Sequence, residues 1–191
     1  MHDTRFSRYD QSTAADWAVI EQAAATYESG LADRVLNAVV ALEAESQGHP
    51  VNRLEHSLQT ATRAFRDHAS EALIVCALLH DIGDELSPFN HGPLAATILR
   101  PYVSHELAWL VEYHEIFQGY HFFQHIGRDR NEREKFRGHP AFEMTAAFCD
   151  KWDQTSFEQG YDTMPLDAFE PMVRRLFARE PALQTADRMV R

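Results

Sequence analysis

Apolar residues recur along most of the chain at the three- and four-residue intervals of an amphipathic helix. Almost no run alternates apolar with polar residues as a half-buried strand does. Thr13 and Asp16 form a capping pattern that opens a first helix, running through Trp17, Ile20 and Ala24 to about Ser29. Gly30 interrupts, and a second helix follows from Leu31 through Val35, Leu36 and Val39 to Leu42. The segment Ser46-Gln47-Gly48-His49-Pro50 reads as a loop. A third helix is predicted near Arg53 to Asp67. Ser70 then caps a fourth, apolar one through Leu73, Ile74, Ala77 and Leu78, which Gly83 is placed to end. After a loop with Pro88, a fifth helix spans His91 to Leu99 and closes before Pro101. Ser104 caps a sixth, through Leu107, Leu110 and Val111 to about Phe117. Residues 119–140 are polar, aromatic and irregular, the pattern of a lid or substrate-facing loop. Two further helices, about Ala141 to Phe157 and Leu166 to Ala178, precede a solvated tail. These helices and short connections predict an all-α orthogonal helical bundle, one domain over residues 1–191 with no internal boundary.

Composition adds exclusions. With 45 % apolar and 25 % charged residues the chain has a globular balance. No stretch approaches the ~18 continuous apolar residues of a membrane span, and the opening MHDTRFSRYDQ lacks the apolar run of a secretory signal. No membrane partner and a cytoplasmic location are therefore expected. A net charge of −11 argues against a nucleic-acid partner, which needs a basic face. The short basic segment Arg128 to Arg137 is interleaved with acids. A small anionic substrate is not excluded, because a pocket can be locally positive. Cys76 and Cys149, in apolar surroundings, read as buried thiols and make neither a disulfide framework nor a zinc motif. The oligomeric state is left open.

Histidine changes the picture. Eleven in 191 residues exceed what solubility or packing calls for, and imidazole suits metal ligation and proton transfer. His80 and Asp81 stand together where an apolar helix stops, in CALLHDIGD, a costly placement unless both groups are paired or bind a cation. His56 lies 24 residues upstream on the preceding helix, in RLEHSLQTA, so antiparallel helices with a short turn bring it to His80. Asp153, in CDKWDQTSF, adds a ligand from a third helix. His91 opens the fifth helix and His114 lies near the end of the sixth, and their imidazoles can share a second cation. Asp81, with two carboxylate oxygens, is the natural bridge.

The order H…HD…H…H…D resembles the HD-domain superfamily, and specifically its two-metal members. The likeness covers roughly His49 to Phe157, with N-terminal helices in 13–45 and a C-terminal helix over 166–178 outside it. Within the superfamily, the stretch GHPVNRLEHSLQTA and the Lys151-Trp152-Asp153 element resemble the mixed-valent diiron oxygenases of the myo-inositol oxygenase and hydroxy-aminoethylphosphonate oxygenase type. That resemblance implies two iron ions, Fe(II)/Fe(III), one held by His56, His80 and Asp153, the other by His91 and His114, with Asp81 bridging. It also implies dioxygen and a small hydroxylated substrate (a phosphonate, polyol or amino alcohol) whose carbon–carbon or carbon–phosphorus bond is cleaved. Imidazole and carboxylate accept manganese or another divalent metal equally well.

The chain departs from these relatives at the substrate end. Ser46 replaces the tyrosine that can occupy the iron, and His49 replaces a glutamate that senses the amine. Asp84 stands where relatives carry Lys or His. It is expected at the catalytic site, contacting a cationic substrate group or a basic residue of the lid. Its charge argues against simple phosphomonoester hydrolysis, the commoner activity of the superfamily and the alternative function here, for which two metals would activate water. Gln118 replaces a substrate-contacting lysine, so an anion would draw on Arg128, Lys135 or Arg137; the alternative is that these are surface charges paired with Asp129, Glu132 and Glu134. Tyr113, Phe117, Tyr120, Phe122 and Phe123 form either a cation–π box or core packing. His121 and His125 reach a metal, a substrate or neither, and Glu55 and Glu115 are imidazole acceptors or solvated residues.

Overall fold

A computed structural model describes residues 4–43 and 48–182; Ser46 lies outside the described residues. The fold is all-helical, as the periodicity predicts. Helix α1 spans Ala14–Ser29, α2 Leu31–Ala41, α3 Arg53–Arg66, α4 Glu71–Leu79, α5 His91–Leu99, α6 His105–Phe122, α7 Phe142–Phe148 and α8 Leu166–Phe177. The caps read from the sequence are present. Thr13 and Asp16 form a capping box, and Ser70 and Ser104 accept from the first turns of α4 and α6; Asn52, which the sequence reading did not single out, caps α3 in the same way.

Two antiparallel hairpins, α3 on α4 and α5 on α6, form the centre of the bundle. α4 is apolar on every side, and Ile74 to Leu79 are all buried, as befits a helix surrounded by others. α8 covers α2 and α4 with Phe169, Val173, Leu176 and Phe177. α7 packs on α6 through the buried rings of Phe117 and Phe142, 5.0 Å apart. Cys76 and Cys149 are buried free thiols, as expected.

Three boundaries differ from the sequence reading. α4 stops at Leu79 rather than at Gly83, and His80 to Asp84 continue as hydrogen-bonded turns. Gly83 is needed for a close approach, because a Cβ there would lie 2.7 Å from the carbonyl oxygen of His91. α6 continues to Phe122, and residues 123–126 and 130–136 form 3-10 turns, so the segment is more ordered than a loop. Phe136 packs between Trp109 and Tyr113, which anchors it to α6. Finally, α7 ends in a π turn over Cys149–Asp153 instead of running to Phe157. There the Gln154 N–H donates to the Cys149 carbonyl at 3.1 Å.

Replacing Gly83 by Ala should force the 80–86 turns away from α5. We expect a loss of about 1–3 kcal/mol, the usual range for overpacking, measured by urea unfolding. Unchanged stability would mean that the two segments separate freely.

Candidate metal centre

The hairpins explain how residues distant in sequence meet. His56 on α3 and His80 just past α4 are equally far in sequence from His68, the left-handed residue in their turn. Their Nε2 atoms lie 3.1 Å apart. His91 and His114 are nearly equidistant from the α5–α6 turn at Tyr102, and their Nε2 atoms lie 3.3 Å apart. Gly92 lets α5 start hard against α6, since a Cβ there would sit 3.0 Å from the Val111 carbonyl oxygen.

Asp81 lies between the two pairs and divides its oxygens. Oδ2 is 3.6 Å from His56 Nε2 and 3.5 Å from His80 Nε2. Oδ1 is 3.1 Å from His91 Nε2 and 3.2 Å from His114 Nε2. The π turn brings Asp153 to the first pair, with Oδ1 3.2 Å from His56 and 3.7 Å from His80. All six side chains are buried. Atoms bound about 2.1 Å from one cation lie about 3.0–3.4 Å apart in octahedral or tetrahedral arrangements, so these spacings suit two adjacent ions.

The hydrogen bonds make the centre rich in acceptors. Nδ1 of His56 donates to the Ser156 carbonyl at 3.0 Å, that of His80 to Ala77 at 2.8 Å and that of His114 to Val111 at 2.7 Å. This fixes the tautomer that turns an Nε2 lone pair inward. Burial pushes His80 down to about 4, so it is neutral near pH 7. Burial alone would raise the Asp81 carboxyl, yet His80, His114 and His91 together hold it well below the usual range. Asp153 is likewise lowered against its burial, chiefly by the hydrogen bond with His56. Burial would lower His91, but Asp81 carries it up to about 9, so positive charge beside that carboxylate is favoured. Lone pairs and carboxylates converging in a core need cations between them, and these groups could hold metal ions.

One face of the centre opens into a cavity of about 740 Å³. Asp81 and His91 form part of its floor, and Phe89, Phe122, Phe123 and Phe157 line its walls. Of the substrate candidates described, His49 and Gln118 also line it. His49 stacks on Phe157, and the Gln118 amide donates to Asp153 Oδ1 at 2.5 Å. Two others are placed differently. Asp84 is outside the lining, buried behind Arg53 and His91, with Oδ2 3.2 Å from Arg53 Nε and Oδ1 3.7 Å from His91 Nδ1. Arg137 is exposed, also outside the lining, and takes Glu134 as a bidentate partner. Lys135 pairs with Glu132, as the surface-charge alternative has it.

The remaining candidates divide. Phe122 and Phe123 face the cavity, whereas Tyr113 and Phe117 pack with Trp109 and Phe136. Tyr120 lies beneath Arg130 and Arg133. His121 lines the cavity and pairs with Asp150 at 2.9 Å, while His125 contacts Gln124. Glu115 Oε1 is 3.9 Å from His91 Nδ1. Glu55 instead accepts from Gln59 and Thr163. Sequence reasoning missed Arg53, which reaches Asp81, Asp84 and the cavity. A lone arginine at a helix start carries no signal of such a role.

The family model described as HD domain matches residues 53–155, a stretch that contains His56 through Asp153. No curated protein matches the chain. The family and the buried His/Asp cluster agree on a metal-dependent enzyme.

If Asp81 bridges, Asp81→Ala should lose both metals, whereas His91→Ala should lose one and keep that between His56 and His80. Metal content by mass spectrometry checks both variants. Full retention in Asp81→Ala would exclude a bridge.

Proposed function

We propose, for a chain that belongs to the HD domain family, that it is a non-heme diiron oxygenase that uses dioxygen to cleave a carbon–carbon or carbon–phosphorus bond of a small hydroxylated substrate. The observation that carries this reading is the division of the two Asp81 oxygens between two imidazole pairs beside a cavity. His56, His80, Asp153 and Asp81 Oδ2 would hold one iron. His91, His114 and Asp81 Oδ1 would hold the other, a three-atom set that leaves positions for a chelating substrate. When bound, iron supplies the dioxygen chemistry, oxidising a hydroxyl-bearing carbon so that an adjacent bond breaks.

The chain's own groups orient and shield. Three backbone carbonyls hold the imidazoles with Nε2 inward, which preorganises the centre before any ligand arrives. Gln118 fixes one Asp153 oxygen. The Cys149 thiol, which burial keeps protonated, lies between the His114 carbonyl at 3.5 Å and the other Asp153 oxygen at 3.7 Å. Phe122, Phe123 and Phe157 give the cavity an apolar wall, which would limit side reactions with water at a reactive centre.

A phosphohydrolase is the second reading, and Arg53 favours it. Asp84, which by sequence alone opposes a phosphate, is paired with that guanidinium and does not line the cavity.

The two readings separate on metal content and paramagnetic resonance of anaerobically purified, partly oxidised protein. The oxygenase predicts two irons per chain with a coupled mixed-valence signal, and dioxygen uptake with hydroxylated phosphonates or polyols. Redox-inactive metals with phosphate release from nucleotides or phosphoesters would replace it by the hydrolase.

A further inference from the structure

We propose that Arg53 is the residue through which the cavity recognises an oxyanion carried by the substrate. The inference rests on the two-metal reading of the centre, and not on the choice between oxygenase and hydrolase.

Arg53 is placed as a receptor. It lines the cavity, yet its side chain is only 18 % exposed. On its buried side Asp84 Oδ2 lies 3.2 Å from Nε, and Asp84 is itself outside the cavity lining. Nε makes no hydrogen bond, so this contact is an ion pair that holds the guanidinium on one side while the residue still lines the cavity. Nη1 lies 3.4 Å from Asp81 Oδ2, so the charge sits at the edge of the metal pair, on the His56 and His80 side of the shared carboxylate, and the cavity that Arg53 lines also reaches His91. A planar fork held in this way suits a bidentate oxyanion better than a mobile lysine does.

Charge balance points the same way. Two divalent ions would bring four positive charges. Asp81, Asp84 and Asp153 answer three of them, and Arg53 adds one more positive charge. His49 contributes none, since burial and the neighbouring Arg53 keep its imidazole neutral. Glu115, 44 % exposed near His91, is the remaining carboxylate of the lining and is largely screened by water. The loaded cavity is therefore locally positive in a chain whose net charge is −11, and an anionic ligand group completes it.

Arg128 is the other arginine of the lining and makes a control. It is 52 % exposed, paired with Glu132 at 3.0 Å and stacked over Phe123 at 3.7 Å. Its charge is already engaged and open to solvent.

Calorimetric titration of inorganic phosphate, methylphosphonate and acetate into manganese-loaded protein tests this, with metal content measured on every sample. Arg53→Gln at full manganese content should weaken oxyanion binding by roughly tenfold or more, the scale of a lost charge-assisted hydrogen bond. Arg128→Gln should change it less than threefold. Preference for phosphate and methylphosphonate identifies a tetrahedral oxyanion and preference for acetate a carboxylate, and either supports the proposal if Arg53 sets the affinity. If Arg53→Gln loads poorly, Arg53→Lys takes its place and should bind several-fold more weakly than the wild type. Wild-type affinity in the fully loaded variant, or no oxyanion binding by the loaded wild type, overturns the role of Arg53. Failure of the wild type to take up manganese overturns the metal centre instead.

Discussion

A carboxylate buried among four imidazoles is the constraint on which the rest of the centre depends. Asp81 is 2 % exposed, and its two oxygens meet four ring nitrogens at 3.1–3.6 Å. Three of those rings have already committed Nδ1 to backbone carbonyls. Positive charge must therefore answer the carboxylate, from Arg53 at its edge, from a protonated imidazole or from the metal ions these groups could hold. The surrounding architecture follows from that need. Gly83 and Gly92 let backbone segments close around Asp81 and His114. The π turn carries Asp153 inward, while the neighbouring Trp152 anchors the same turn outward through its indole N–H to Asp67. Gln118 holds one Asp153 oxygen, and the Cys149 thiol lies 3.7 Å from the other. Each device sits on a helix or at a helix end, where position is better held than on a long loop.

Much of this was legible in the sequence because hairpins obey simple geometry. When two helices fold back around a short turn, residues equally far from the turn come level. His56 and His80 satisfy this about His68, and His91 and His114 nearly satisfy it about Tyr102. The His-Asp pair at the end of an apolar helix marked Asp81 as the candidate bridge once His56, His91, His114 and Asp153 were set beside it. The helix periods also predicted the all-α bundle and its capping residues, because α2, α3 and α8 each present an apolar stripe to the core.

What the sequence hid has physical causes. α6 runs to Phe122 because Phe123 and Phe136 pack back on it, a tertiary contact that local polarity does not report. The π turn has no periodicity signature, since one extra residue disturbs only a single turn. Arg137 was a reasonable anion partner by composition, but Glu134 three residues earlier captures it. Arg53 looked like an ordinary charged residue at a helix start. Its place at the cavity edge, paired with Asp84 from the α4–α5 turn, appears only in three dimensions. Asp84 shows the same limitation from the other side, because a charge that seems to face substrate in sequence is turned away and neutralised in three dimensions.

The two halves of the centre are not equivalent, and the asymmetry bears on where chemistry would occur. The His56 and His80 side gathers four protein atoms, counting Asp81 Oδ2 and Asp153 Oδ1. The His91 and His114 side gathers three, and His91 reaches the cavity. His91 is also the one of these four rings whose Nδ1 makes no hydrogen bond. Instead the carboxylates of Asp84 and Glu115 stand 3.7 and 3.9 Å from it. An ion there would be less enclosed than its neighbour and held by fewer protein groups, which suits the exchange of water for substrate. The enclosed half would then serve mainly to hold its ion and, through the shared carboxylate, to set the charge at the open one. The same shared carboxylate is the atom group that Arg53 touches, so substrate charge and metal charge would be balanced at one point, the edge of Asp81.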